Sequence, residues 1–134
     1  MAKVSVSQKI PASAQQVWDM IGNFNSLADW YPGIQKSQLE EGGTVRRLTL
    51  PDGSTLVETL VSEDGKERTY DYIIPDGKMP FSGYNARMRV IEDDDGNCTA
   101  NWESEFEPKT SDAEQIVNDI YQAGLDNLRK MFGG

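Results

Sequence analysis

Apolar and polar residues recur along this chain with two different periods. Residues 3–10, KVSVSQKI, place Val4, Val6 and Ile10 on one side, the period-two pattern of a half-buried strand. Pro11 ends it. Ser13 then caps a short helix carrying Val17, Trp18 and Ile21, which Gly22 closes. Residues 23–31, NFNSLADWY, hold Phe24, Leu27 and Trp30 at spacings of three and predict a second short helix, ended by Pro32. From Gly33 to about Pro108 the pattern is strand throughout. It then changes to helix over residues 111–132, with Ala113, Ile116, Val117, Ile120, Ala123, Gly124, Leu128 and Met131 in one stripe. Ser111 and Glu114 have the spacing of a capping box. Asp112 and Glu114 suit the positive end of the helix dipole, and Arg129 and Lys130 the negative end. So long a stripe needs a large apolar partner, and the strands are the only candidate. The pattern predicts a curved sheet wrapped on one helix, with the two short helices as a plug or lid.

Turn chemistry sets the register. Pro51-Asp52-Gly53 fits a three-residue hairpin loop with Gly in the left-handed position, which puts Leu50 opposite Ser54, Leu48 opposite Leu56 and Arg46 opposite Glu58. Reading Glu63-Asp64-Gly65 as a second such turn sets Leu60 against Arg68, Glu58 against Tyr70 and Leu56 against Tyr72. A longer loop, 75–83, joins Ile74 to Tyr84. The acidic turn at Asp93–Gly96 pairs Val90 with Cys98 and Ala86 with Trp102. Sorted this way, even positions from 46 to 106 form the helix-facing side and odd positions, rich in Thr, Asp, Glu and Arg, the solvent side. The inward side is not purely apolar. Arg46, Glu58, Tyr70, Tyr72, Tyr84, Trp102 and Ser104 sit among its aliphatics.

Composition narrows the chemistry. At 134 residues the chain is one domain of ordinary size, residues 1–134, long enough for a real core. A net charge of -9 argues against nucleic acid or anionic membrane as partner. Without histidine the chain lacks the commonest general base and metal ligand, and no metal or cofactor is implied. The single cysteine, Cys98, rules out an internal disulfide and reads as a small core residue. The acidic run Glu92–Asp95 reads as a solvated turn, since D-D-D-G lacks the rest of a calcium loop. No apolar run is long enough to cross a membrane and no signal-peptide core is seen, so a soluble, cytoplasmic protein without membrane insertion is expected.

The order of elements, with V-W-D-M-I-G-N-F-N-S-L-A-D-W-Y-P at 17–32, G-T-V-R-R-L-T-L-P-D-G at 43–53, V-E-T-L at 57–60 and W-E-S-E-F-E-P at 102–108, resembles the START-related, Bet v 1-like helix-grip superfamily. It looks closest to the polyketide cyclase/dehydrase-like bacterial members and is more distantly similar to plant abscisic acid receptors. The resemblance covers the whole chain. It implies an α+β helix-grip fold, a curved seven-stranded antiparallel sheet around a long C-terminal helix, with a cavity between them. The receptor pattern implies pocket positions for Arg46, Glu58, Tyr84 and Asn127. The receptors' histidine-containing latch has no counterpart in Gly77-Lys78-Met79-Pro80-Phe81, so hormone signalling is not carried over.

Arg46 and Glu58 are the sharpest candidates, facing each other where solvated charges do not belong. They read as a polar anchor for an apolar ligand's carboxylate, hydroxyl or carbonyl, as a structural ion pair, or as catalytic groups, with Glu58 as general base beside Tyr70. Tyr70, Tyr72, Tyr84 and Trp102 read as cavity lining or core aromatics. Leu48, Ala86, Ile116 and Ile120 supply further wall. Gly124 either lets the helix approach the sheet or leaves room for a ligand, and Asn127 points inward or to solvent. Trp30, Tyr31 and Pro32, with Met79 and Phe81 of the 75–83 loop, ring a mouth or pack as an ordinary loop. The leading expectation is binding of a hydrophobic small molecule, a lipid, polyketide or aromatic metabolite. Alternatives are a polyketide cyclase or dehydratase using the same cavity, and a partner-binding regulator whose protein partner is left open.

Overall fold

The structure, a computed structural model, describes residues 1–75 and 79–134. Asp76, Gly77 and Lys78, and with them part of the 75–83 loop, lie outside the described residues. The elements run β1 (Ala2–Ile10), α1 (Ala14–Ile21), α2 (Leu27–Trp30), β2 (Lys36–Glu40), a 3-10 turn (Glu41–Gly43), β3 (Val45–Thr49), β4 (Thr55–Asp64), β5 (Thr69–Ile74), β6 (Phe81–Glu92), β7 (Cys98–Pro108) and α3 (Ala113–Met131). The seven strands form one antiparallel sheet in the order β1-β7-β6-β5-β4-β3-β2. Every neighbour pair is a sequential hairpin except β1–β7, where Val4 faces Ser104 and Ile10 faces Cys98. Among the described residues no helix is long and apolar enough to cross a membrane.

The hairpin registers differ from the turn-based reading in an instructive way. β3–β4 pairs Arg46 with Glu58 and Leu48 with Leu56 as expected, with Gly53 at φ 84° in the turn. In β4–β5, Leu60 faces Tyr72, not Arg68, and a bulge follows between Leu60 and Ser62. The left-handed residue there is Arg68, at φ 51°, not Gly65, because the turn lies over residues 65–68 and Asp64 Oδ1 accepts from the Lys66 and Glu67 amides. In β6–β7, Val90 faces Ala100 and Ala86 faces Ser104, displaced from the expected Cys98 and Trp102. The slip is even-numbered in β6–β7 from Asn85 on and in β4–β5 up to Leu60, so the inward set survives there; past the bulge Glu63 faces Tyr70 and the parity of β4 changes. From Arg46 through Phe106 the even positions of β3, β5, β6 and β7 are buried, apart from Ser82 and Glu92 near the ends of β6. Two odd residues join them: Phe81, ahead of the irregularity between Ser82 and Asn85, and Asn101, which is buried between strands with its Nδ2 donating to Ser5, Val6 and Ser7.

Helix boundaries shift for local reasons. α1 carries a full capping box between Ser13 and Gln16. The second helix is only Leu27–Trp30, shorter than 23–31, because Asn23 starts a turn closed by the Ser26 amide. α3 begins at Ala113 with Asp112 as its cap residue, and neither Ser111 nor Asp112 supplies a side-chain cap. Its buried face is Ala113, Val117, Tyr121, Gly124, Leu125 and Leu128, a row of fours. The stripe read from sequence was rotated from this: Ala123 and Met131 are exposed, Ile116 and Ile120 half-buried. α3 leans on β1 and β7, leaving the β3–β5 half of the concave face to aromatic side chains and the α1–α2 segment.

Candidate functional site

The β3–β4 register carries Arg46 and Glu58 onto the concave face, where Arg46 is fully buried and Glu58 only 5% exposed. The guanidinium donates from Nε at 2.8 Å and from Nη2 at 2.5 Å, both to Glu58 Oε1. Nη1 donates to the Phe24 carbonyl at 2.8 Å, an acceptor left open because residues 23–25 are not helical. The Phe24 ring lies 4.1 Å from the guanidinium carbon and the Tyr72 ring 5.0 Å, so the charge is sandwiched by π-faces. Burial, the largest single influence, opposes the Arg46 charge, but Glu58, Tyr70 and Tyr72 together outweigh it and the net shift is upward, so Arg46 stays cationic. Glu58 Oε2 accepts no hydrogen bond from any described residue.

Beside the pair lies a knot of phenols. Trp102 Nε1 donates to Tyr72 Oη at 2.9 Å, Tyr72 and Tyr84 share a contact of 3.2 Å, and Tyr84 is hydrogen-bonded to Tyr121. Three phenol protons serve two such contacts, so one O–H of the knot is left over. The Ser104 hydroxyl next to it is buried without a hydrogen-bond partner. Burial pushes the Tyr72 and Tyr84 phenols well up and the Tyr121 phenol up, so all three are neutral donors at ordinary pH. Tyr121 also stacks on Trp102, with centroids 4.3 Å apart.

These groups form the inner end of a cavity of about 290 Å³. Its deep wall is Glu58, Tyr72, Tyr84, Trp102 and Tyr121. Leu48, Leu56, Ile74, Phe81 and Val117 make the apolar sides, and the half-exposed Tyr31, Ile34, Leu50, Met79 and Ile120 stand with Pro51 at the mouth. A hollow of about 510 Å³ lies on the outer face of the sheet. It is larger, but it is lined by paired charges such as Lys3–Glu105 and Arg87–Asp71, as befits a solvated groove. The inner cavity has the apolar walls and few converging polar groups of a small-molecule site. Among the described residues no cluster of acidic or thiol groups has metal-ligand geometry.

A family model described as polyketide cyclase / dehydrase and lipid transport matches residues 1–133. The chain belongs to that family. No curated protein matches it in sequence. Among solved structures it is similar to the protein XoxI from Bacillus cereus, at 40% identity over 98% of this chain and 96% of that one, with a TM-score of 0.95. It is likewise similar to a putative uncharacterized protein from Bacillus thuringiensis, at 41% identity over 98% of each chain, TM-score 0.93. The two-domain ARO/CYC protein BexL of the BE-7585A biosynthetic pathway shares the fold alone, at 11% identity over 97% of this chain and 46% of that one, TM-score 0.83. The family match and these neighbours establish the helix-grip architecture independently of the strand count.

Within this cyclase/dehydrase family member, the residues singled out from sequence divide. Leu48, Glu58, Tyr72, Met79, Phe81, Tyr84, Trp102 and Ile120 line the cavity. Arg46, Tyr70, Trp30, Ala86, Ile116, Gly124 and Asn127 are not part of the wall. Arg46 stands behind Phe24 and Tyr72. Tyr70 is packed edge-on against Phe24, its phenol pushed up chiefly by burial. Trp30 is buried beside Trp102 at 5.6 Å, not at the mouth. Pro32, expected at the mouth, is exposed and outside the lining, and Phe81 is a buried wall residue stacked on Tyr84 instead of a lip. Asn127 is structural: its Nδ2 donates to the Trp30 carbonyl at 2.8 Å. Gly124 makes room for protein, since a Cβ there would lie 2.7 Å from the Tyr31 ring and 3.1 Å from Trp102. Tyr31 uses that seat to donate to the Ile120 carbonyl at 2.9 Å. Sequence reasoning placed Val117 in the helix stripe and Leu50 on the inward face of the sheet, and missed Tyr121, Ile34 and Pro51. Tyr121 was findable, standing four residues from both Val117 and Leu125.

Proposed function

We propose that this protein binds an apolar small molecule in the cavity between sheet and C-terminal helix. One observation carries the reading: a cavity of about 290 Å³, open at its mouth, whose sides are aliphatic and aromatic and whose polar groups are gathered at its inner end. The family description, which joins polyketide cyclases and dehydrases with lipid transport, supports a hydrophobic ligand. The volume suits a ligand at the small end of the drug-like range, such as two fused rings or a short acyl chain. Native mass spectrometry of freshly purified protein tests this. A defined adduct of a few hundred daltons, released on denaturation, is expected; bare protein that also takes up no added apolar compound overturns it.

A cyclase- or dehydratase-type reaction is the second reading, favoured by the uncommitted Glu58 Oε2 at the cavity's inner end. Glu58 would move the proton while the neutral phenols polarise a carbonyl. Under that reading Glu58→Gln lowers turnover by at least about a hundredfold. Under the binding reading it changes affinity alone.

A further inference from the structure

Resting on the binding reading, we infer that the cavity selects a neutral ligand bearing a hydroxyl, which donates to Glu58 Oε2, and that it rejects carboxylates. The familiar way to hold an apolar acid is an arginine in the wall, and this cavity has an arginine beside it. That arginine is committed elsewhere. Nε and Nη2 are both on Glu58 Oε1, Nη1 is on the Phe24 carbonyl, and the Phe24 and Tyr72 rings flank the guanidinium. Arg46 has no exposed surface and no share of the wall.

What the ligand meets instead is the other half of the pair. Glu58 lines the cavity, and because both guanidinium bonds converge on Oε1, Oε2 has no partner among the described residues. A carboxylate oxygen only accepts, so the group that satisfies it must donate. A hydrogen bond to a charged acceptor in a low-dielectric site is among the stronger ones available. A ligand carboxylate would set a second negative charge beside Glu58 with no cation within its reach. The neighbouring phenol knot is neutral, so it does not offset that repulsion, while its spare O–H can meet a second, accepting oxygen on the same ligand. The pair thus presents an acceptor to the cavity and hides its positive charge behind it.

Three naphthalenes of one ring size separate the possibilities: 2-naphthol, 2-methoxynaphthalene and 2-naphthoate, titrated at about pH 7, where the phenol is neutral and the acid ionised. Dissociation constants come from calorimetry or from shifts in the amide spectrum. The naphthol should bind at least about tenfold tighter than the methoxy compound, and the naphthoate weakest of the three. Equal binding of naphthol and methoxynaphthalene overturns the hydroxyl preference and leaves the cavity reading intact. Naphthoate binding tightest overturns the inference through its charge logic. Binding of none of the three sinks the cavity reading, and this inference with it. Glu58→Gln sharpens the test: its amide oxygen keeps Arg46 and its NH₂ replaces Oε2, so the advantage of naphthol over methoxynaphthalene should vanish. An advantage that persists in a folded Glu58→Gln protein overturns the assignment to Oε2. If that variant does not fold, the three wild-type constants decide alone.

Discussion

Two of the arginine–carboxylate pairs that bridge neighbouring strands of this sheet, Arg46–Glu58 and Arg87–Asp71, lie on opposite faces. Outside, Arg87 grips Asp71 as a fork, with Nε on Oδ1 at 2.7 Å and Nη2 on Oδ2 at 3.0 Å, and the side chains keep 47% and 30% of their exposure. Inside, Arg46 spends both bonds on one oxygen of Glu58, with 1% and 6% exposure. By geometry alone the outer pair is the better one. By energetics it is the lesser, because water competes for each of its charges and screens their attraction. The inner pair owes its weight to the lack of alternatives: either partner, left alone, would be a bare charge in an aromatic box. Its asymmetric geometry also frees the oxygen that the cavity presents. Strength of contact and consequence of loss are separate quantities, and burial decides the second.

The largest test of the divide between faces is alkaline. Tyr70, Tyr72, Tyr84 and Tyr121 have folded pKa values raised chiefly by burial. A raised folded pKa means stability fully present below the unfolded value of about 10 and lost as pH rises beyond it. Each phenol should remove roughly 1.4 kcal/mol per pH unit above that point, so the four together bring unfolding by about pH 11–12. Urea melts from pH 8 to 11, with tyrosinate absorbance as a second signal, check this. A protein equally stable at both ends would mean the phenols are not sealed in. The outer pair does not titrate in this window.

Next is Glu58→Ala, expected to cost about 3–5 kcal/mol by stranding Arg46. The paired replacement Arg46→Met with Glu58→Leu should recover most of the loss. A single-variant loss under about 1 kcal/mol would put the inner pair in the same class as the outer one. Gly124→Ala comes third. Tyr31 must leave its seat, an overpacking cost of about 1–3 kcal/mol, offset by about 1 kcal/mol of helix propensity. A net stabilisation would show that Tyr31 is easily displaced. Smallest is Asp71→Asn, at about 0.2–1 kcal/mol. The Arg87 hydrogen bond holds the Asp71 carboxyl below its ordinary range. That contribution is present above about pH 4 and fades as pH falls through the lowered folded value.

Much of this was legible in the sequence because period two is forgiving. The even-numbered slips in the β4–β5 and β6–β7 hairpins misplaced partners such as Leu60 and Val90 yet left the side chains up to Leu60 and from Tyr84 onward on their expected faces; only the bulges, beyond Leu60 and at Ser82–Asn85, changed the parity. Arg46 opposite Glu58 came from Pro51-Asp52-Gly53, a turn whose residue types specify its conformation. What the sequence concealed depends on packing directions that periodicity does not carry. Tyr121 and Leu125 sit one step around the helix from the stripe that was read, because α3 leans on β1 and β7 and not on the middle of the sheet. From sequence Arg46 fits a ligand anchor, a structural ion pair or a catalytic group alike, and only the placement of Phe24 and Tyr72 shows that it stands behind the wall.

Cys98, the chain's one thiol, opens β7 opposite Ile10 of β1 and Glu92 of β6. It has no exposed surface, and burial pushes its thiol up to about 11. A thiol-reactive dye can therefore reach it only in the moments when that corner of the sheet comes apart, and the rate of labelling counts those moments directly. If that corner opens only with the whole fold, the same clock should run about tenfold faster for each 1.4 kcal/mol that a substitution removes from global stability, wherever in the fold the substitution lies. A substitution that speeds unfolding in urea without speeding the clock would mark a part of the molecule that opens by itself.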